Sequence, residues 1–206
     1  MDCSTSWRCR INGAASPARR AVFLDRDGTV NIEAGYIRDL ADLKLMDGAA
    51  DAIRRLREAG FLAILVTNQS GPARGYYPES WIWQLNNRLT SLLHDGGTTL
   101  DGVYYCPHLP DGSTQSYRKD CNCRKPETAM LQWAARDYGI DLTASYMVGD
   151  KATDVEVGQN AGTSAILLTS GYGEQVLAGT YQSLKLIPEH IAPDLAAAAE
   201  WILAQG

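Results

Sequence analysis

Short apolar runs at residues 21–24, 61–66, 102–105, 146–148 and 164–168 constrain this chain more than any other feature. Each has the length of a strand, and together they read as strands buried on both faces. Segments with helical spacing lie between them, at 48–59, 78–94, 127–138 and 155–161, and an alanine-rich one follows at 194–204. The first carries Ala49, Ala52, Ile53 and Leu56 on one side and is closed by Gly60, a residue suited to the turn that ends a helix. Strand alternating with helix implies an α/β fold, a doubly wound, Rossmann-like parallel sheet with helices on both faces. Such sheets bind ligands beyond the carboxyl ends of their strands. The chemistry is therefore expected at 25–29, 67–71 and 149–154 before any motif is considered.

The 206 residues suit one domain, expected over 21–206, behind a polar leader at 1–20 that reads as flexible chain. The leader has no apolar stretch ahead of its arginines and does not read as a secretory signal. No apolar run is long enough to span a bilayer, so no membrane partner is expected. A net charge of −5 argues against nucleic acid as a partner, because a phosphate backbone calls for a basic excess. A few local cations would still hold a small anionic substrate. Five cysteines, three of them clustered as Cys106, Cys121 and Cys123, fit a reducing compartment and a bound metal better than a disulfide framework. A cytoplasmic protein is the expectation.

The first strand runs into Asp25-Arg26-Asp27-Gly28-Thr29. On an extended backbone, residues two apart project to one side, so Asp25 and Asp27 would face one pocket with Arg26 turned away. Gly28 allows a tight turn and close approach of a ligand. One ionised carboxylate can attack phosphorus. The other can protonate the leaving oxygen and later take a proton from water. Magnesium would offset the charge repulsion and orient both partners. The same pattern is also common as a plain Asx turn; its place directly after a buried strand favours the catalytic reading.

After the second strand, Thr67-Asn68-Gln69-Ser70-Gly71 offers a hydroxyl and backbone N–H groups to an anion. Arg124-Lys125-Pro126 precedes a helix. The lysine can neutralise charge on a transferring phosphoryl group, and the arginine can grip a second phosphate. Gly149-Asp150-Lys151 follows the fourth strand, with Asp154 beyond. Asp150 can complete a magnesium shell with Asp25, while Asp154 reads as a supporting or capping residue. Each fragment alone is equally readable as a turn, a solvated basic pair or a helix cap. Their order, and their placement around strand ends, point to phosphoryl transfer.

Residues 107–126 form a polar stretch without hydrophobic periodicity, too long for an idle connection. Cys106 and His108 stand near its start, Cys121 and Cys123 near its end. Three thiolates and an imidazole suit closed tetrahedral zinc. Binding would supply the ordering free energy that apolar burial cannot. Four protein ligands leave no open position, so zinc is expected to be structural, with a zinc-stabilised loop at 106–123. His94 and His190 lack such partners and read as ordinary.

With these motifs in this order, residues 21 to about 168 resemble the haloacid dehalogenase-like phosphatases. The zinc loop narrows the resemblance to the D-glycero-D-manno-heptose 1,7-bisphosphate phosphatases and, more distantly, the histidinol-phosphate phosphatases. The stretch 67–75, Gly35-Tyr36, and the stretches 104–108 and 145–151 are closer to the heptose group; the histidinol group usually has Asp where this chain has Ser70. The resemblance implies Asp25 as nucleophile and Asp27 as general acid/base. It implies magnesium on Asp25, the Asp27 carbonyl and Asp150, and the transferring phosphate on Thr67 and Lys125. Substrate contacts would come from Glu33, Ala34, Gly35, Tyr36, Asn68, Gln69, Ser70, Arg124 and Lys151, and zinc ligands from Cys106, His108, Cys121 and Cys123.

The implied reaction removes the 7-phosphate of a heptose 1,7-bisphosphate through a phospho-aspartate, on the way to nucleotide-activated heptose for bacterial surface polysaccharide such as lipopolysaccharide. A histidinol-phosphate phosphatase, a DNA-end phosphatase and a non-catalytic sugar-phosphate sensor are the competing readings. The length of the leader and the stretch 169–188, with Gly171, Gly173 and Gly179, depart from the family pattern. The segment 29–48 is short, so no large cap domain is expected. An open site of that kind needs no second subunit, and a monomer is the expectation.

Overall fold

The computed structural model describes residues 18–206. It contains strands β1 (Ala21–Leu24), β2 (Leu62–Asn68), β3 (Gly102–Cys106), β4 (Tyr146–Gly149), β5 (Ser164–Leu168) and β6 (His190–Ala192). The helices are α1 (Ala49–Glu58), α2 (Glu79–Asp95), α3 (Ala129–Tyr138), α4 (Ala152–Ala161), α5 (Gly173–Leu177) and α6 (Leu195–Ala204). All pairings are parallel, and the strand order is β3-β2-β1-β4-β5-β6. This is the doubly wound order, in which the chain reverses direction across the sheet between β1 and β4.

The sheet is buried on both faces because its strands are apolar at consecutive positions. Val22 and Leu24 pack with Ile53 and Leu56 of α1, Leu89 of α2 and Ile202 of α6. Their neighbours Ala21 and Phe23 point the other way, against Met130, Leu131 and Ala134 of α3 and Val157 of α4. The side-chain period of two along β1 thus feeds two separate apolar layers. No helix among the described residues is long and apolar enough to cross a membrane.

Several boundaries differ from the sequence reading. Thr67 and Gly149 lie inside β2 and β4, because their backbones still pair with Tyr105 and Leu167. Helix α3 starts at Ala129 rather than at residue 127, and α4 starts at Ala152, three residues before the expected start at 155. The stretch 169–188 holds the five-residue helix α5, and the short edge strand β6 follows it. Arg19 and Arg20 already belong to the folded body: Arg19 bridges to Ile140, and the Arg20 carbonyl accepts from the Leu62 N–H at 2.9 Å. Residues 1–17 of the expected leader lie outside the described residues.

Candidate active site

The reversal point places the ends of β1 and β4 side by side. Asp25 follows β1, its N–H donating to the Val148 carbonyl at 3.0 Å, and Asp150 follows β4. Carboxylate oxygens of Asp25, Asp150 and Asp154 come within 4.8 Å of one another, all of them buried. Two glycines make this convergence possible. Gly28, at φ 83°, and Gly171, at φ 56°, both pack on the Asp150 carboxylate, and a Cβ at either position would collide with it.

Two lysines neutralise the cluster. Lys125 Nζ is buried and sits 2.9 Å from Asp25 Oδ1 and 2.6 Å from Asp154 Oδ1, and it donates to the Val66 carbonyl at 2.9 Å. It thus makes two ion pairs with carboxylates and one hydrogen bond to a carbonyl. Lys151 Nζ lies 3.4 Å from Asp25 Oδ2, 3.2 Å from Asp150 Oδ1 and 3.4 Å from the Asp27 carbonyl. With Glu33 Oε2 at 3.5 Å, three carboxylates and a carbonyl thus converge on a single positive charge. An all-oxygen donor set of this kind fits magnesium.

Burial works to raise the Asp25 carboxyl, yet the ammonium groups of Lys125 and Lys151 outweigh it and hold it far below the ordinary carboxylate range. Asp150 goes the other way. Burial pushes it up to about 7, Lys151 opposes the shift, and the neighbouring Asp25 and Asp154 charges reinforce it. One carboxylate is thereby held ionised, while the other is brought towards neutrality.

Asp27 faces the same cavity as Asp25, but Arg26 does not turn away as the extended-strand argument expects. Its side chain doubles back, 1 % exposed, and reaches Asp27 Oδ2 at 3.0 Å and Oδ1 at 3.1 Å. The backbone leaves the strand at this point, since the Arg26 carbonyl accepts from the N–H groups of Thr29, Val30 and Asn31. Gln69 donates to Asp27 Oδ2 at 2.8 Å and to Thr67 Oγ1 at 2.9 Å, and accepts from Arg26 at 2.8 Å. Asn31 donates to Asp27 Oδ1 at 3.0 Å.

A cavity of about 330 Å3 opens above these groups. Asp25, Asp27, Thr67, Lys125 and Lys151 line it, as do Glu33, Gly35, Tyr36, Asn68, Gln69, Ser70 and Arg124 among the expected substrate contacts. Ala34 is exposed and is not part of that lining. The amide of Gln69 is engaged within the protein, and Asn68 clamps Lys125 by bonding its backbone N–H and carbonyl. Both act on this geometry as braces. Ser70 and Tyr36 share a hydroxyl pair at 3.1 Å. Arg74, Thr153, Tyr172, Tyr181 and Gln182 also line the cavity and were missed by the sequence reading. Tyr172, Tyr181 and Gln182 follow β5, so the rule that ligands gather beyond strand ends contained the signal.

The cysteine loop at 106–123 does not itself line the cavity; only Arg124 and Lys125, which follow it, do. The donor atoms of Cys106, His108, Cys121 and Cys123 lie 3.2 to 3.6 Å apart in five pairs. A tetrahedral zinc with Zn–S bonds of about 2.3 Å asks for edges of about 3.8 Å, so the four groups fit that ion. The loop is tied to the site through Arg124, which donates to the His108 carbonyl at 3.0 Å. It is tied to α2 through Tyr117, which donates to Glu79 at 2.9 Å, as Tyr105 of β3 also does.

Known proteins resemble this chain in sequence and fold. The HAD-hydrolase-like family model matches residues 122–198. The D-glycero-D-manno-heptose-1,7-bisphosphate 7-phosphatase of Thermosynechococcus vestitus is 50% identical over 188 residues, spanning 89% of this chain and 95% of that protein. The D-glycero-beta-D-manno-heptose-1,7-bisphosphate 7-phosphatase of Escherichia coli K12 is 41% identical over 186 residues, 89% of this chain and 87% of that one. Among solved structures, the D,D-heptose 1,7-bisphosphate phosphatase of B. bronchiseptica, complexed with magnesium and phosphate, superposes with a TM-score of 0.79 at 32% identity, covering 91% of this chain and 99% of that one.

Proposed function

The chain belongs to the haloacid dehalogenase-like hydrolases, and on that premise we propose that it is a magnesium-dependent phosphatase that removes the 7-phosphate of D-glycero-D-manno-heptose 1,7-bisphosphate. The observation that carries the reading is the pair of oppositely tuned carboxylates at the sheet's reversal point: Asp25, held ionised by two lysines, beside Asp150. Half-identity to a relative of that name over nearly its whole length supports the substrate.

In the first step an Asp25 carboxylate oxygen attacks phosphorus, a P–O bond to phosphate forms on Asp25, and the bond from phosphorus to the sugar oxygen breaks. Asp27 gives its proton to that leaving oxygen. In the second step Asp27 takes a proton from water, the water oxygen attacks phosphorus, and Asp25 is freed with release of inorganic phosphate. Lys125 and Thr67 hold the transferring group, and the Lys125 charge meets the charge that builds up on its oxygens. The Arg26, Gln69 and Asn31 side chains donate to the Asp27 carboxylate and fix its orientation beside the cavity. When bound, magnesium would be held by Asp25, Asp150 and the Asp27 carbonyl and would offset the repulsion between carboxylate and phosphate. Arg124, anchored by the cysteine loop, is placed to grip the phosphate that stays on the sugar. Zinc on the four loop ligands is structural in this reading, and the enzyme is a cytoplasmic monomer acting on a small soluble sugar phosphate.

The test is phosphate release, with and without magnesium, from the α and β anomers of the bisphosphate beside histidinol phosphate. Magnesium-dependent release from the bisphosphate at a rate well above that from histidinol phosphate is expected; the reverse preference would overturn the substrate assignment.

A further inference from the structure

The segment between β5 and β6 carries side chains that phosphoryl transfer does not use. Tyr172 and Tyr181 stack with ring centroids 4.2 Å apart and planes 11° from parallel. Both line the catalytic cavity together with Gln182. Tyr172 is locked to the catalytic centre from two directions. Its N–H donates to Asp150 Oδ2 at 2.8 Å, and Lys151 Nζ lies 5.4 Å from its ring centroid. Tyr181 is covered on one face by this anchored ring and remains 46% exposed. The result is a rigid aromatic plate registered to the carboxylates.

Gln182 adds a polar element of one kind. Its side-chain oxygen is buried and has no hydrogen-bond partner, a costly state unless a donor arrives. A phosphate at neutral pH offers mainly acceptors and does not answer that need, whereas a sugar hydroxyl does. An aromatic face beside an unanswered acceptor is the chemistry of a wall for a carbohydrate ring, whose C–H face covers the aromatic surface while a hydroxyl pairs at its edge.

We propose that Tyr181 and Gln182 form a specificity wall for the sugar ring of the substrate, with Tyr172 positioning Tyr181 against the metal-binding carboxylates. This rests on the phosphatase reading above and extends it: the lysines and Arg124 recognise the phosphates, and this segment recognises what lies between them. The wall lies in the stretch 169–188 between β5 and β6, apart from the motif residues that carry the phosphoryl chemistry.

The experiment compares wild type with Tyr181→Ala, Tyr181→Phe and Gln182→Leu on two substrates, the heptose bisphosphate and acetyl phosphate, which has a phosphoryl group and no ring. Thermal melts verify that each variant folds. Tyr181→Ala is expected to lose about tenfold more kcat/KM on the bisphosphate than on acetyl phosphate, the difference lying in KM. Gln182→Leu is expected to lose about fivefold more on the bisphosphate. Tyr181→Phe, which keeps the plate, should stay close to wild type on both. Equal losses on the two substrates, or a Tyr181→Phe variant as impaired as Tyr181→Ala, would overturn the wall. A wild-type chain that cleaves acetyl phosphate and leaves the bisphosphate intact would sink the substrate reading itself, and with it the ligand assigned to this wall.

Discussion

Replacing Lys125 with Met is the perturbation whose outcome follows most directly from the geometry. The methionine fills nearly the same volume but removes an ammonium group that touches Asp25 Oδ1 at 2.9 Å, Asp154 Oδ1 at 2.6 Å and the Val66 carbonyl at 2.9 Å. Asp154 then loses its ion pair, and Asp25 keeps only Lys151, 3.4 Å away. Removing one partner of a buried pair costs about 3–5 kcal/mol, against a total stability of about 5–15 kcal/mol. For a chain of this size that loss lowers the melting temperature by about 6–20 °C. The pH dependence has a definite sign. Without the lysine, the carboxyls of Asp25 and Asp154 are raised in the folded state, so their ionisation disfavours folding, and the variant loses stability as pH rises. Urea unfolding at pH 5 and pH 8 should therefore show the larger deficit at pH 8. A second change, Asp154→Asn, should restore at least half of it by removing one of the stranded charges. A loss below about 1 kcal/mol, equal at both pH values, would refute the reasoning, because it would mean that these charges are not coupled through Lys125.

The remaining predictions concern the two metals. Because Asp150 binds its proton with a pKa of about 7, proton and magnesium compete for it below neutrality; the magnesium concentration for half-maximal activity should rise as pH falls from 8 to 6, while Asp25, held far lower, stays ionised throughout. A half-saturation value independent of pH in that window would remove Asp150 from the metal site. Cys121→Ser should lower the melting temperature and abolish the stoichiometric zinc content measured by elemental analysis, with little change in magnesium half-saturation, because the loop ligands and the carboxylates are separate clusters. Unchanged zinc content and stability would show that the four groups do not bind that ion.

The apolar runs made β1, β2, β4 and β5 legible, since strands buried on both faces have no polar alternation to hide them, whereas β3 is an edge strand, mostly half-buried with Val103 exposed. Asp25, Asp27, Thr67, Lys125 and Lys151 at or near those ends line one cavity, with Asp150 and Asp154 buried beside Asp25. What the sequence concealed has physical causes. Strand β6 is three residues at the sheet edge with only Ala192 fully buried, so its composition carries no strand signal. Arg26 obeyed the alternation argument only as far as the strand continued; the three N–H groups that converge on its carbonyl turn the backbone and bring its side chain back over Asp27. Tyr172 and Tyr181 are nine residues apart in a glycine-containing stretch without periodicity, and only the tertiary path stacks them.

The account depends on a phosphoryl group residing on Asp25. Its most direct test is a single turnover with the bisphosphate labelled in its 7-phosphate, quenched in acid within the first turnover and digested to peptides. The label is expected on the peptide containing Asp25, at a level that rises and then decays as free phosphate appears. The folded Asp25→Asn variant should show neither label nor turnover. Phosphate release with no labelled peptide at any quench time, or substantial turnover by Asp25→Asn, would contradict the account.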